Sequence, residues 1–125
     1  MHKILIIDDE PHILLMLKKM LERAGYEVDL ASNGKEGLHL FQSKPSDLVI
    51  TDIIMPEKEG LETIREMRRI QSGLKIIAMS GGGKISAENY LKTAKIFGAS
   101  RIIEKPFSQQ HMVSTVNELL SSLSE

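Results

Sequence analysis

Cysteine is absent from this chain, and so is tryptophan. Without thiols there can be no disulfide staple, no thiolate metal site and no thiol nucleophile. Nothing points to an oxidising compartment either, so the expected location is the cytoplasm. Long hydrophobic runs are also missing. The apolar stretch nearest the N-terminus, Ile4-Leu5-Ile6-Ile7, stops at Asp8, far short of a signal-peptide core or a membrane span. Neither sign of charge dominates: 16 Lys and Arg against 17 Asp and Glu give a formal net charge of −1. No overall field therefore draws the protein directly to nucleic acid or into a membrane surface. Aromatic residues make up 4% of the chain, and the short Gly81-Gly82-Gly83 loop lacks phosphate-loop spacing. Both features argue against a flavin-binding domain.

What is present is ordinary globular material, 42% hydrophobic and 26% charged over 125 residues. That length suits one continuous core and is short for two, so residues 1–125 are expected to form one domain. Ile4 to Ile7 reads as a strand buried on both faces. Pro11 then opens a helix in which Leu14, Leu17, Leu21 and Ala24 recur at helical spacing until Gly25 stops it. On that helix Leu15 falls opposite the core stripe, with Met16 at its border. The rhythm repeats, with strands over 27–31, 48–51, 75–79 and 101–103 and helices over 34–42, 61–70, 87–97 and 109–123. Parallel strands need crossovers, and crossovers are right-handed, so these five βα units predict a doubly wound α/β fold with helices on both faces. Ligands in such sheets bind beyond the carboxyl ends of the strands, near the reversal of strand order.

Those ends carry Asp8 and Asp9 after the first strand, Asp52 after the third, Ser80 after the fourth and Lys105 after the fifth. Taken singly, each has an ordinary alternative. Asp8-Asp9 suits a helix N-terminus, Asp52 an Asx-type turn, Ser80 a loop hydroxyl and Lys105 a solvated cation. Taken together, they place three carboxylates, a hydroxyl and an ammonium on one edge of one sheet. Clustered carboxylates repel, and each raises its neighbours' pKa unless a cation joins them. An all-oxygen set without cysteine or clustered histidine suits Mg²⁺, with Lys105 and Ser80 left to meet phosphoryl oxygens. His2, His12, His39 and His111 are scattered and read as solvated or packing residues.

These residues resemble the response-regulator receiver family. The resemblance rests on Asp8-Asp9, on Asp52-Ile53-Ile54-Met55-Pro56 followed by Gly60, on Ser80, and on Lys105-Pro106-Phe107. It implies a flavodoxin-like sandwich with a five-stranded parallel sheet in order 2-1-3-4-5. It further implies that Asp52 is the phosphoacceptor and also a metal ligand, and that Asp9 binds Mg²⁺ directly. Asp8 would act largely through a metal-bound water, and Ile54 through its backbone carbonyl. Lys105 and Ser80 would bind the phosphoryl oxygens, and the Lys105-Pro106 bond would be cis. The implied donor is a phosphohistidine on a sensor histidine kinase or a histidine phosphotransfer protein. Output would pass to an effector protein by docking from a stand-alone, monomeric receiver of chemotaxis or phosphorelay type. Such a domain phosphorylates and dephosphorylates itself rather than acting on an external substrate.

Two departures from the family pattern matter. Ile102 stands where members commonly carry Tyr or Phe, so a ring switch is not expected. The stretch from Ser80 to Lys105 is about three residues longer than usual, with the excess placed at Gly81-Gly82-Gly83-Lys84. A haloacid-dehalogenase-like phosphatase also uses an aspartate nucleophile at a strand end with Mg²⁺. It needs an acid two residues beyond, where this chain has Ile54.

Overall fold

Five consecutive apolar or stem-buried residues, Lys3–Ile7, form β1, and all five are buried. The computed structural model describes residues 2–52, 57–81 and 98–121. After β1 come α1 (Pro11–Arg23), β2 (Glu27–Ala31), α2 (Gly34–Ser43), β3 (Leu48–Asp52) and α3 (Glu57–Ile70). Then follow β4 (Lys75–Gly81), β5 (Arg101–Lys105) and α4 (Gln109–Ser121). The helix expected over 87–97 lies outside the described residues, as do Ile54, Gly82 and Gly83. All strand pairs are parallel, in the order β2-β1-β3-β4-β5, which is the flavodoxin-like doubly wound arrangement. Among the described residues, no helix is long and apolar enough to cross a membrane.

Strand pleating sends alternate residues to opposite faces, and the two cores divide on that parity. Ile4, Ile6, Ile50, Met79 and Ile103 pack with Leu14, Leu17 and Leu21 of α1 and with Met112 and Val116 of α4. Leu5, Ile7, Val49, Ile76 and Ala78 pack with Phe41 of α2 and with Ile64 and Met67 of α3. Each helix turns an apolar stripe to its own face of the sheet. Leu15, opposite that stripe on α1, is 56% exposed. At the end of α1, Gly25 takes φ +99°, the left-handed turn that stops the helix. At the start of α2, the Asn33 side chain accepts the Glu36 amide at 2.8 Å, and Ser32 donates back to the Glu36 carboxylate.

Several element ends run past the apolar pattern, because helix turns and strand ladders do not need apolar side chains. α3 begins at Glu57, four residues before Leu61, because its first turn is polar and adds nothing to an apolar period. Similarly, β4 runs on through Ser80 and Gly81, and β5 through Glu104 and Lys105, with Gly81 paired to Lys105. Ladder pairing uses backbone groups, so it continues past the last apolar side chain.

Close packing behind the site leaves no room at Gly37. A Cβ there would lie 2.6 Å from Ile7 Cδ1 and 3.0 Å from Cγ1, and Ile7 is fully buried in the strand that leads to Asp8. Gly37→Ala is expected to lower stability by about 1 kcal/mol, overpacking outweighing the gain in helix propensity. Urea denaturation showing equal or greater stability would refute the tight α2–β1 contact.

Candidate functional site: an acidic pocket at the strand ends

The order β2-β1-β3 means the chain leaves β1 on one side and returns on the other, so a crevice opens at the carboxyl ends of β1 and β3. Strand parity decides what enters it. Asp8 follows Ile4 and Ile6, Asp52 follows Leu48 and Ile50, and Lys105 follows Ile103, so all three project on the first core's face. Asp8 is fully buried and Asp52 is 4% exposed. The Lys105 side chain, 14% exposed, donates to Asp52 Oδ2 at 2.9 Å and to Asp8 Oδ2 at 3.0 Å. One ammonium thus bridges two buried carboxylates that would otherwise repel. The Lys105-Pro106 bond is cis, as the resemblance implied, and Phe107 packs on the first core.

Asp8, Asp9, Glu10 and Asp52 each bring a carboxylate oxygen to within 4.8 Å of the others. Asp8 and Asp52 supply the buried members, and Asp9 and Glu10 the exposed ones. Asp8 does not cap α1 itself. Its Oδ1 accepts the Glu10 amide at 2.9 Å, which turns the chain out of β1. Four carboxylates facing one ammonium leave an excess of negative charge, and every donor in the group is a hard oxygen. That donor set fits Mg²⁺.

Burial drives the protonation balance. Desolvation pushes the Asp8 carboxyl above its ordinary value, outweighing the Glu10 amide and Lys105, both of which favour the charged form. Burial alone would lower Lys105, but its bonds to Asp52 and Asp8 more than compensate and the net shift is upward. The sign for Asp8 follows: a carboxyl raised on folding contributes most below its unfolded pKa of 3.8 and loses that contribution as pH rises through the folded value. Ionised Asp8 therefore costs stability at neutral pH when no metal is present. Asp8→Asn is expected to raise the metal-free Tm at pH 7, on the order of a few degrees, with the difference vanishing on acidification. A lower Tm at pH 7 would contradict this.

Ser80 is buried one position beyond Met79, the partner of Asp52 in the β3–β4 ladder. By parity it follows Ile76 and Ala78 on the second core's face, rather than that of Asp8, Asp52 and Lys105. Ile54 lies outside the described residues. Ile102 is half-buried against the second core. Glu10 was not expected from the sequence: its Oε1 stands 3.9 Å from Lys105 Nζ. The available signal was an acid next to the Asp8-Asp9 pair, at a position that otherwise reads as a helix start.

A doubly wound parallel sheet with a lysine-bridged acidic pocket at its switch point defines a flavodoxin-like domain built around a strand-end aspartate. The model of the response regulator receiver domain matches residues 4–117, and the chain belongs to that family. It is 35% identical over 118 residues to the chemotaxis protein CheY of Thermotoga maritima, covering 94% of this chain and 96% of that protein. It is 36% identical over 118 residues to the transcriptional regulatory protein CusR of Escherichia coli, covering 94% of this chain but 51% of that longer protein. Among solved structures, the response regulator TrrA of Thermotoga maritima in complex with Mg²⁺–BeF superposes with a TM-score of 0.78 at 37% identity. That match covers 95% of this chain and 99% of TrrA. Receiver domains act in two-component signalling by accepting a phosphoryl group on an aspartate with Mg²⁺.

Proposed function

We propose that residues 1–125 form a single receiver domain in which Asp52 accepts the phosphoryl group. The observation that carries this reading is the Lys105 ammonium, held 2.9 Å from Asp52 Oδ2 and 3.0 Å from Asp8 Oδ2 within the acidic group. Asp9 and Asp52 would hold Mg²⁺ and Asp8 would act through a metal-bound water, with the backbone carbonyl of Ile54 a further ligand by the family resemblance alone. When bound, Mg²⁺ neutralises charge between the pocket carboxylates and the phosphoryl oxygens. An ionised aspartate needs no general base, so the work of the protein is placement and charge balance. Lys105 draws the phosphoryl oxygens towards Asp52, and the hydroxyl of Ser80, which faces the second core, meets them after transfer only once the end of β4 shifts. The similar response regulator TrrA was solved in complex with Mg²⁺–BeF, which supports reading this chain as an Mg²⁺-dependent phosphoreceiver.

The donor is a phosphohistidine on a sensor histidine kinase or a histidine phosphotransfer protein in the cytoplasm. The output is docking of a monomer on an effector protein, with no direct nucleic-acid contact and no membrane insertion. Ile102 carries no ring to rotate, so the signal leaves through backbone and helix shifts. The test is incubation with a small phosphodonor. One phosphoryl mass should be gained with Mg²⁺ present, and none once the metal is chelated. Beryllium fluoride with Mg²⁺ should shift pocket amide resonances. No gain in either condition would sink the proposal.

A further inference from the structure

Glu10 occupies the N-cap of α1, with φ −96° and ψ 108°, yet its side chain makes no capping bond. Asp, Asn, Ser and Thr are the side chains that favour capping at this position, and glutamate is not among them. Instead its two oxygens are drawn elsewhere. Oε1 faces Lys105 Nζ at 3.9 Å, and Oε2 lies 3.3 Å from His12 Nε2. Its backbone amide is tied to Asp8 Oδ1 at 2.9 Å, so the residue is anchored to the pocket from behind. The side chain is 48% exposed, which places it at the mouth of a site whose inner acids are buried.

We infer that Glu10 is a fourth carboxylate of the cation site, one that sets affinity by charge and by accepting from the ion's waters rather than by direct ligation. This rests on the reading of the pocket as an Mg²⁺ site. Mg²⁺ sheds its waters reluctantly and keeps several when bound by one or two carboxylates. A half-exposed carboxylate at the mouth is the acceptor those waters need. One of its oxygens lies 3.3 Å from His12 Nε2 and the other 3.9 Å from Lys105 Nζ. Removing one such charge, at the edge of solvent and partly screened, should weaken Mg²⁺ roughly three- to tenfold.

The experiment is an Mg²⁺ titration of the whole protein, followed by amide resonances or calorimetry, for the wild type and for Glu10→Gln, Glu22→Gln and Asp9→Asn. Glu22 lies on the same helix, paired with Lys18, and controls for loss of a remote charge. The expected order is wild-type affinity for Glu22→Gln, a three- to tenfold loss for Glu10→Gln, and near-complete loss for Asp9→Asn. Melts without metal check that all variants are folded. If Glu10→Gln binds like the wild type while Asp9→Asn does not, the role of Glu10 falls and the metal pocket stands. If Glu22→Gln weakens binding as much as Glu10→Gln, only bulk charge is at work and the inference is overturned. If the wild type itself fails to bind Mg²⁺, both readings fall.

Discussion

Asp52→Asn is expected to take up no phosphoryl group at all under conditions that label the wild type fully. The substitution keeps the size of the side chain and its place at the end of β3, but removes the ionised oxygen that would attack. Three other carboxylates stand within the same group, so the prediction requires that none of them substitutes. The geometry gives the reason. Asp8 is fully buried and has both oxygens engaged, Oδ1 by the Glu10 amide and Oδ2 by Lys105. Asp9 and Glu10 are exposed, and neither makes the close bond to the lysine that Asp52 makes. In-line placement against a positioned cation supplies most of the rate in phosphoryl transfer, and that place is the one proposed for Asp52, held 2.9 Å from Lys105 at the end of β3. Intact-protein mass after incubation with phosphodonor and Mg²⁺ reads the result. A variant labelled at a neighbouring aspartate would move the acceptor away from Asp52.

Lys105→Met should cost about 3 kcal/mol of stability at pH 7 without metal, the scale on which removing one partner of a buried pair destabilises. Met keeps much of the apolar stem, so the loss reports the missing ammonium rather than a cavity. Asp8 and Asp52 would then face each other without a counter-charge, and the Asp8 carboxyl, already raised by burial, would rise further. The cost is therefore present above that raised pKa and fades as pH falls and Asp8 takes a proton. Added Mg²⁺ should restore part of it by mass action on the folded state. Phosphoryl uptake should slow roughly ten- to a hundredfold, because a preorganised charge aimed at the transferring oxygens is gone. Denaturant melts at neutral and acidic pH check the first effect, and timed mass measurement the second. Wild-type stability at pH 7 would mean that Lys105 is a solvated surface cation after all.

Much of the site was legible because period-two strands and short βα turns leave few choices. Once Ile4–Ile7 and Leu48–Thr51 are strands of a parallel sheet, Asp8 and Asp52 must emerge on the same edge. Lys105 follows in the same way from Ile103. Glu10 was not legible, since an acid just before Pro11 reads equally well as part of a helix start. Its membership of the cluster depends on a side chain turning away from the helix end. Ser80 was half legible: its edge of the sheet was correct, but the extension of β4 by backbone pairing put it on a strand face that the apolar pattern did not mark. Gly37 gave no hint that α2 lies hard against Ile7, because such contacts depend on how close two elements approach.

The sequence by itself determined the alternating elements, the buried parallel sheet and the edge on which the acids and the lysine gather. These follow from local periodicity and from the handedness of crossovers, which any stretch of chain carries within itself. The tertiary structure alone decided that Lys105 divides its ammonium almost equally between Asp8 and Asp52, partners 97 and 53 residues away. It alone decided that Asp8 is buried deeply enough to resist ionisation, and that Glu10 joins the cluster rather than capping its helix. Those outcomes depend on distances and desolvation among groups far apart in the chain, quantities that exist only once the sheet has closed around them.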